Sequence, residues 1–150
     1  MKRLFLLLML AMPLFVSAQS RIYRGNSTYS SDIVATCDGR YLYQGNSTYS
    51  SDVLYSFDGR YVYKGLSNYS SDIIMTFDGR HIYRGRSTYS SDILFTFDGR
   101  QIYRGNSTYA SDVLYTRYGR FLYKGKSTYS SDVIYAIDGT VPIVLLLLLL

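Results

Sequence analysis

Tryptophan and glutamate are absent from the 150 residues, and there is one cysteine, one histidine and only two prolines. Each shortage narrows the reading. The single histidine, His81, fills a slot held elsewhere by Arg21, Tyr41, Tyr61, Gln101 and Phe121. A position open to all of those side chains does not serve as the base of a Ser-His-Asp triad, so an enzyme is not expected. Cys37 has no partner within the chain and could pair only between chains. It stands where other copies have Phe57, Phe77, Phe97 and Ile137, which favours a small buried apolar filler. Without Glu, all 11 acids are Asp, in two slots: Asp32, Asp52, Asp72, Asp92, Asp112 and Asp132, then Asp38, Asp58, Asp78, Asp98 and Asp138. Asp bonds readily to nearby backbone, so such restriction points to turns.

What is present is a twenty-residue repeat, clearest as YKGLSNYSSDIIMTFDGR over 63–80, returning six times without insertion or deletion. Ahead of it, Lys2 and Arg3 precede an apolar run to Val16 and the small pair Ser17 and Ala18. That pattern is a signal peptide over 1–18, cut after Ala18, and export to the periplasm or the outside follows. The chain from Gln19 carries 14 basic groups against 11 acidic, a net of +3. So weak a balance gives no case for nucleic acid. The organisation is then 1–18 leader, 19–140 repeat domain and 141–150 apolar tail.

Within each unit two β-rich runs flank Asp-Gly, as in VLYSFDGRYVY over 53–63. Asp-Gly between such runs predicts a hairpin with a two-residue type I′ turn. The turn pairs are Asp38 and Gly39, Asp58 and Gly59, Asp78 and Gly79, Asp98 and Gly99, and Asp138 and Gly139. The fifth has Tyr118 before Gly119. That turn sets Phe57 opposite Arg60, Tyr55 opposite Val62 and Ser56 opposite Tyr61. Both faces then hold apolar slots, so each hairpin must lie between neighbours. The fold class is all-β: an array of six hairpin units, closed radially or stacked as an open solenoid. In the linkers, Ser51 and Asp52 are expected to cap a turn, and Tyr49 to fill a gap between units.

Two rows could carry binding. Tyr23, Tyr43, Tyr63, Tyr83, Tyr103 and Tyr123 recur, followed by Arg24, Lys64, Arg84, Arg104 and Lys124, with Gln44 as the exception. A basic-aromatic face of that kind suits a cell-surface glycan or another small ligand. The plainer reading is solvated strand ends on a module that docks partner proteins. Six converging Asp32-type carboxylates could hold calcium, but turn capping explains them as well. No cofactor is indicated. The tail, VPIVLLLLLL, is too short for a membrane-spanning helix. It reads as a buried plug or closing strand, so no transmembrane span is expected in the processed chain.

The Tyr-x-Gly-x-Ser-x-Tyr-Ser-Ser-Asp repeat behind a leader resembles the β-flower proteins, small exported proteins whose hairpin petals surround a centre. The resemblance covers 21–139 and implies a closed radial array with no catalytic residues to carry over. Five whole hairpins are flanked by half-units at 21–23 and 133–137; these either pair to close a six-membered ring or leave five petals with trimmed ends. The Phe-x-Asp-Gly…Tyr-x-Gly rhythm (Phe57, Asp58, Gly59, Tyr63, Gly65) is similar to MORN repeats. The period with Tyr and Asp-Gly is similar to choline-binding repeats, whose aromatic cages are rich in the Trp missing here.

Overall fold

A computed structural model describes residues 18–150. The expected leader, all but Ala18, lies outside the described residues. Twelve short antiparallel strands close into one barrel in which every strand pairs with its sequence neighbours and the first pairs with the last. They are β1 (Ser20–Arg24), β2 (Ile33–Cys37), β3 (Tyr41–Gln44), β4 (Val53–Phe57), β5 (Tyr61–Lys64), β6 (Ile73–Phe77), β7 (His81–Arg84), β8 (Ile93–Phe97), β9 (Gln101–Arg104), β10 (Val113–Tyr118), β11 (Phe121–Lys124) and β12 (Val133–Asp138). The array is therefore closed, not an open solenoid.

The two half-units do pair. Ile22 lies opposite Ile137, as Leu42 lies opposite Cys37 and Val62 opposite Phe57. A sixth hairpin is thus assembled from the two ends of the repeat domain, and the alternative of five trimmed petals falls away. Closure leaves no free sheet edge.

The turns are centred one residue later than Asp-Gly predicts. Phe57 pairs with Val62, Ser56 with Tyr63 and Tyr55 with Lys64, not with Arg60, Tyr61 and Val62. Gly59 and Arg60 occupy the turn, and among the described residues only glycines have positive φ, so the type I′ expectation fails. The cause is the Asp carboxylate. Asp58 Oδ1 accepts the backbone N–H of Arg60 at 2.9 Å and of Tyr61 at 2.7 Å. The backbone of Asp58 donates to the Tyr61 carbonyl at 3.2 Å. In the fifth hairpin Tyr118 cannot bond this way, and it pairs directly with Phe121 across Gly119, φ 59°. The register moved by two residues, so the division of side chains between faces is as expected.

One face of each hairpin looks into the lumen. Ile22, Leu42, Val62, Ile82, Ile102 and Leu122 form a fully buried ring there. Tyr55, Met75, Phe95, Tyr115, Phe57, Phe77 and Phe97 pack partly buried against the same core. Eight strands are about what side chains alone can fill; twelve need more, and the tail supplies it. After β12 the chain turns inward and forms α1 (Ile143–Leu147), every residue of which is buried. A helix, not a strand, occupies the lumen because an unpaired strand there would leave its N–H and C=O groups without partners. The helical form pairs Leu145 N–H with Pro142 O at 3.0 Å, and Tyr135 Oη donates to Leu149 O at 2.6 Å. Cys37 is fully buried in this core; burial, first of all, raises its thiol pKa.

The other face is covered by the linkers. Thr36, Thr76, Thr96 and Thr116 are buried, and each donates to the carbonyl of the linker glycine nine residues on, at 2.7–2.8 Å. Ser56 does the same to Gly65. Each linker joins one hairpin to the next at the barrel end opposite the turns, so the barrel has a linker end and a turn end.

Candidate functional site

The linkers present one feature six times over. Tyr29, Tyr49, Tyr69, Tyr89, Tyr109 and Tyr129 are 71–76% exposed. Tyr49 therefore fills no gap between units, which corrects the expectation drawn from its recurrence. Its neighbours explain why: the stretch from Asn46 to Asp52 offers no other apolar side chain to pack on. The backbone beneath it is nevertheless fixed. Ser47 Oγ donates to Asp52 Oδ2 at 2.5 Å and accepts from Tyr49 N–H at 3.1 Å, and Asp52 N–H donates to Tyr49 O at 2.9 Å. The other five linkers repeat the pattern, from Ser27 with Asp32 to Ser127 with Asp132. The cap is thus made by Ser47 and its equivalents; Ser51 and Asp52 make no cap bond to the short 3-10 turn they form.

That clamp also accounts for the Asp32-type carboxylates. Each is half-buried and engaged by a serine of its own linker. Among the described residues no three His, Cys, Asp or Glu side chains stand close enough to share an ion.

The expected basic-aromatic face is not one face. Tyr63 and Lys64 are adjacent in a strand and point to opposite sides. Tyr23, Tyr43, Tyr83, Tyr103 and Tyr123 are buried and Tyr63 half-buried, on the side covered by linkers. Four of their hydroxyls donate to the turn carboxylates: Tyr43 to Asp38 at 3.1 Å, Tyr63 to Asp58 at 2.9 Å, Tyr83 to Asp78 at 2.9 Å and Tyr103 to Asp98 at 3.0 Å. Burial, then the bond to Asp, raises the pKa of each of these phenols. So employed, they leave little ring surface for a ligand.

The basic row lies elsewhere. Arg24, Lys64, Arg84, Arg104 and Lys124 are exposed and sit opposite Tyr135, Tyr55, Met75, Phe95 and Tyr115, on the lumen-facing side. They ring the mouth of the barrel at the linker end, where the tail finishes at Leu150. The linkers leave and rejoin the strands at that end but fold back over the outer face, so that Leu66, Ser67 and Asn68 lie beside Arg40, Phe57 and Asp58.

The turn end has its own chemistry. Asp78 takes two backbone N–H groups, the Tyr83 hydroxyl and His81 Nδ1 at 3.3 Å. Burial would raise its pKa, but these bonds outweigh it and hold the carboxyl at about 2. Asp58 and Asp98 are lowered by the same balance. Arg40 and Arg60 lie over the rings of Tyr41 and Tyr61, each at 5.3 Å. Arg117, in the Phe57 slot of the fifth hairpin, went unnoticed in the sequence. The signal was available, since RYGR over 117–120 is the one copy to place a cation before the turn.

Six hairpins closed around a buried apolar helix, with polar and aromatic side chains repeated on the linkers and turns, define a closed radial hairpin-repeat protein. The chain belongs to the 6-fold beta flower protein family, whose model matches residues 22–147. No curated protein and no solved structure matches it. Among the described residues no helix is long and apolar enough to cross a membrane.

Proposed function

We propose that this is an exported, non-catalytic interaction module whose working surface is the linker-covered outer face. The observation that carries the reading is the six exposed tyrosines on six identically clamped linkers. Tyr offers a large contact area at low conformational cost, with a hydroxyl for a polar partner. Six copies in fixed geometry suit a multivalent partner, since linked contacts raise avidity without new chemistry. The exposed Arg24, Lys64, Arg84, Arg104 and Lys124 at the barrel mouth add attraction for an acidic partner protein. The linker serines are each bonded directly to Asp with no imidazole between them, so they do not form a Ser-His-Asp triad.

A glycan is the second reading, favoured by the same rings, which are open enough to stack on sugar faces and flanked by Ser, Thr and Asn hydrogen-bonding groups. One experiment addresses both. The six linker tyrosines are changed to Thr, and wild type and variant are compared for cross-linking to envelope proteins and for retention on immobilised envelope polysaccharide. Loss of either with an unchanged melting temperature supports the reading. Binding that survives the six changes overturns it.

A further inference from the structure

The side chains that oxidants attack as readily as tyrosine are missing or covered, while six tyrosines stand open. There is no Trp. Cys37 is buried. Met75, the one methionine among the described residues, packs half-buried against the core. Oxidation of thiols and thioethers follows their exposure, so both are shielded. Tyr29, Tyr49, Tyr69, Tyr89, Tyr109 and Tyr129 are 71–76% exposed. Among the described residues none of their hydroxyls has a hydrogen-bond partner, and none of their rings has a stacked neighbour or an overlying cation. The other tyrosines differ. The row from Tyr23 to Tyr123 is covered by linkers, and four of its hydroxyls are bonded to Asp. Tyr41 and Tyr61 lie under Arg40 and Arg60; Tyr118, 55% exposed, lies under Arg100 at 4.7 Å. The clamp between Ser47 and Asp52, repeated in each linker, holds the six open rings apart, so a ring that meets one of them comes from another molecule.

We propose that the six linker tyrosines are sites of oxidative coupling, through which copies of this chain join covalently by dityrosine links. The oxidant is hydrogen peroxide acting through a haem peroxidase. Each phenol gives up one electron and its hydroxyl proton. Two such radicals on different chains form a carbon–carbon bond between the ring positions next to their oxygens. Each of those carbons then loses its hydrogen as a proton while its oxygen gains one, which restores both phenols. The two electrons and two protons released in the first step convert one peroxide into two waters. Access decides which rings couple: the Asp-bonded row is free to lose electrons, but its covered ring carbons cannot meet a second chain. Six sites set around a closed barrel let one chain join more than two others, so the product is a network and not a pair. The inference rests on the exposure of the rings proposed above for docking and not on a docked partner.

The test treats the processed chain, as an equal mixture of nitrogen-15-labelled and unlabelled protein, with hydrogen peroxide and a haem peroxidase. A denaturing gel is expected to show a ladder of covalent oligomers with dityrosine fluorescence. Mass spectrometry is expected to find mixed-isotope peptide pairs joined at linker tyrosines, each pair two hydrogens lighter than its parts. Tyr89→Phe, made together with the same change in the other five linkers, keeps each ring and removes the phenol. The ladder is expected to vanish in that variant with the melting temperature unchanged. Tyr41→Phe, Tyr61→Phe and Tyr118→Phe together are expected to leave the ladder as it is. A wild type that forms no ladder overturns the proposal, as does a ladder that survives the six linker changes. So do links that join tyrosines only within one chain, and this mapping on the wild type decides the matter even where a variant folds poorly. The docking reading is separated by its own measurement: retention of the wild type and the six Thr changes is compared with no oxidant present, and coupling has no part in that result.

Discussion

Ser20 and Thr140, 120 residues apart, hold each other twice: Ser20 Oγ donates to the Thr140 carbonyl at 3.0 Å and accepts the Thr140 N–H at 2.8 Å. In five hairpins a covalent turn joins the two strands. In the sixth there is none, and this pair of bonds stands in its place where β12 meets β1. Gly139 lies against the latch. Its φ is +105°, and a β-carbon there would come within 2.9 Å of Ser20 Cβ; at Gly79, φ +97°, nothing lies within 4 Å. Gly79→Ala should therefore cost only the backbone strain, about 1–3 kcal/mol. Gly139→Ala should cost visibly more in urea unfolding, and Ser20→Gly should recover part of the difference. Equal losses at the two glycines would show that Ser20 does not constrain the seam.

The hairpin array was legible from an unbroken period whose two apolar faces both need neighbours; its closure was implied by the family resemblance, while the residues alone left an open solenoid and five trimmed petals as alternatives. The centre of each turn was not. Asp-Gly reads as a type I′ pair by backbone preference, but Asp58 spends its carboxylate on the N–H groups of Arg60 and Tyr61 and moves the turn on by one residue. Nor was the fate of the tyrosines legible. Tyr43 and Tyr49 recur with equal regularity, yet one is buried and the other 74% exposed. Periodicity shows that a residue repeats; only the residues packed around it decide whether it is covered.

That contrast is measurable. Tyr83→Phe removes a hydroxyl bonded to Asp78 and should cost about 0.5–1.5 kcal/mol. Tyr89→Ala removes a whole exposed ring and should fall within about 0.5 kcal/mol of wild type. Urea titrations of the two variants check the order, and a larger loss at Tyr89 would contradict the assignment of its ring to the surface.

The turn carboxylates set an acid limit. Asp78 has a folded-state pKa of about 2 against an ordinary 3.8. A lowered value means that its stabilisation is complete above pH 3.8 and is lost as pH falls towards 2. Asp58 and Asp98 are shifted the same way. The melting temperature should hold steady from neutral pH to about 4 and then fall. Asp78→Asn should begin lower and lose less over the same window. At the alkaline end the sign reverses: the raised phenol of Tyr83 contributes below its ordinary pKa and fails as pH climbs past it. A flat profile between pH 4 and 2 would mean that these bonds add nothing to folding.

The tail carries the largest stake. Val144, Leu145 and Leu146 are fully buried in the lumen, against the ring of Ile22, Leu42, Val62, Ile82, Ile102 and Leu122, whereas Leu150 is 45% exposed. A closed barrel cannot shrink onto a missing plug without changing its strand number or stagger, so a cavity left there stays open. Leu146→Ala should cost about 2–5 kcal/mol, the range for deleting a core leucine where the walls cannot collapse. Leu150→Ala should be close to neutral. Removing 141–150 strips the lumen of all its central contacts and lays the aliphatic ring open to water. The truncated chain should melt far below the full-length form and bind a hydrophobic dye at temperatures where the intact protein does not. If it melts with the full-length protein, the barrel is held by its strand ladder alone, and the helix inside it is a passenger.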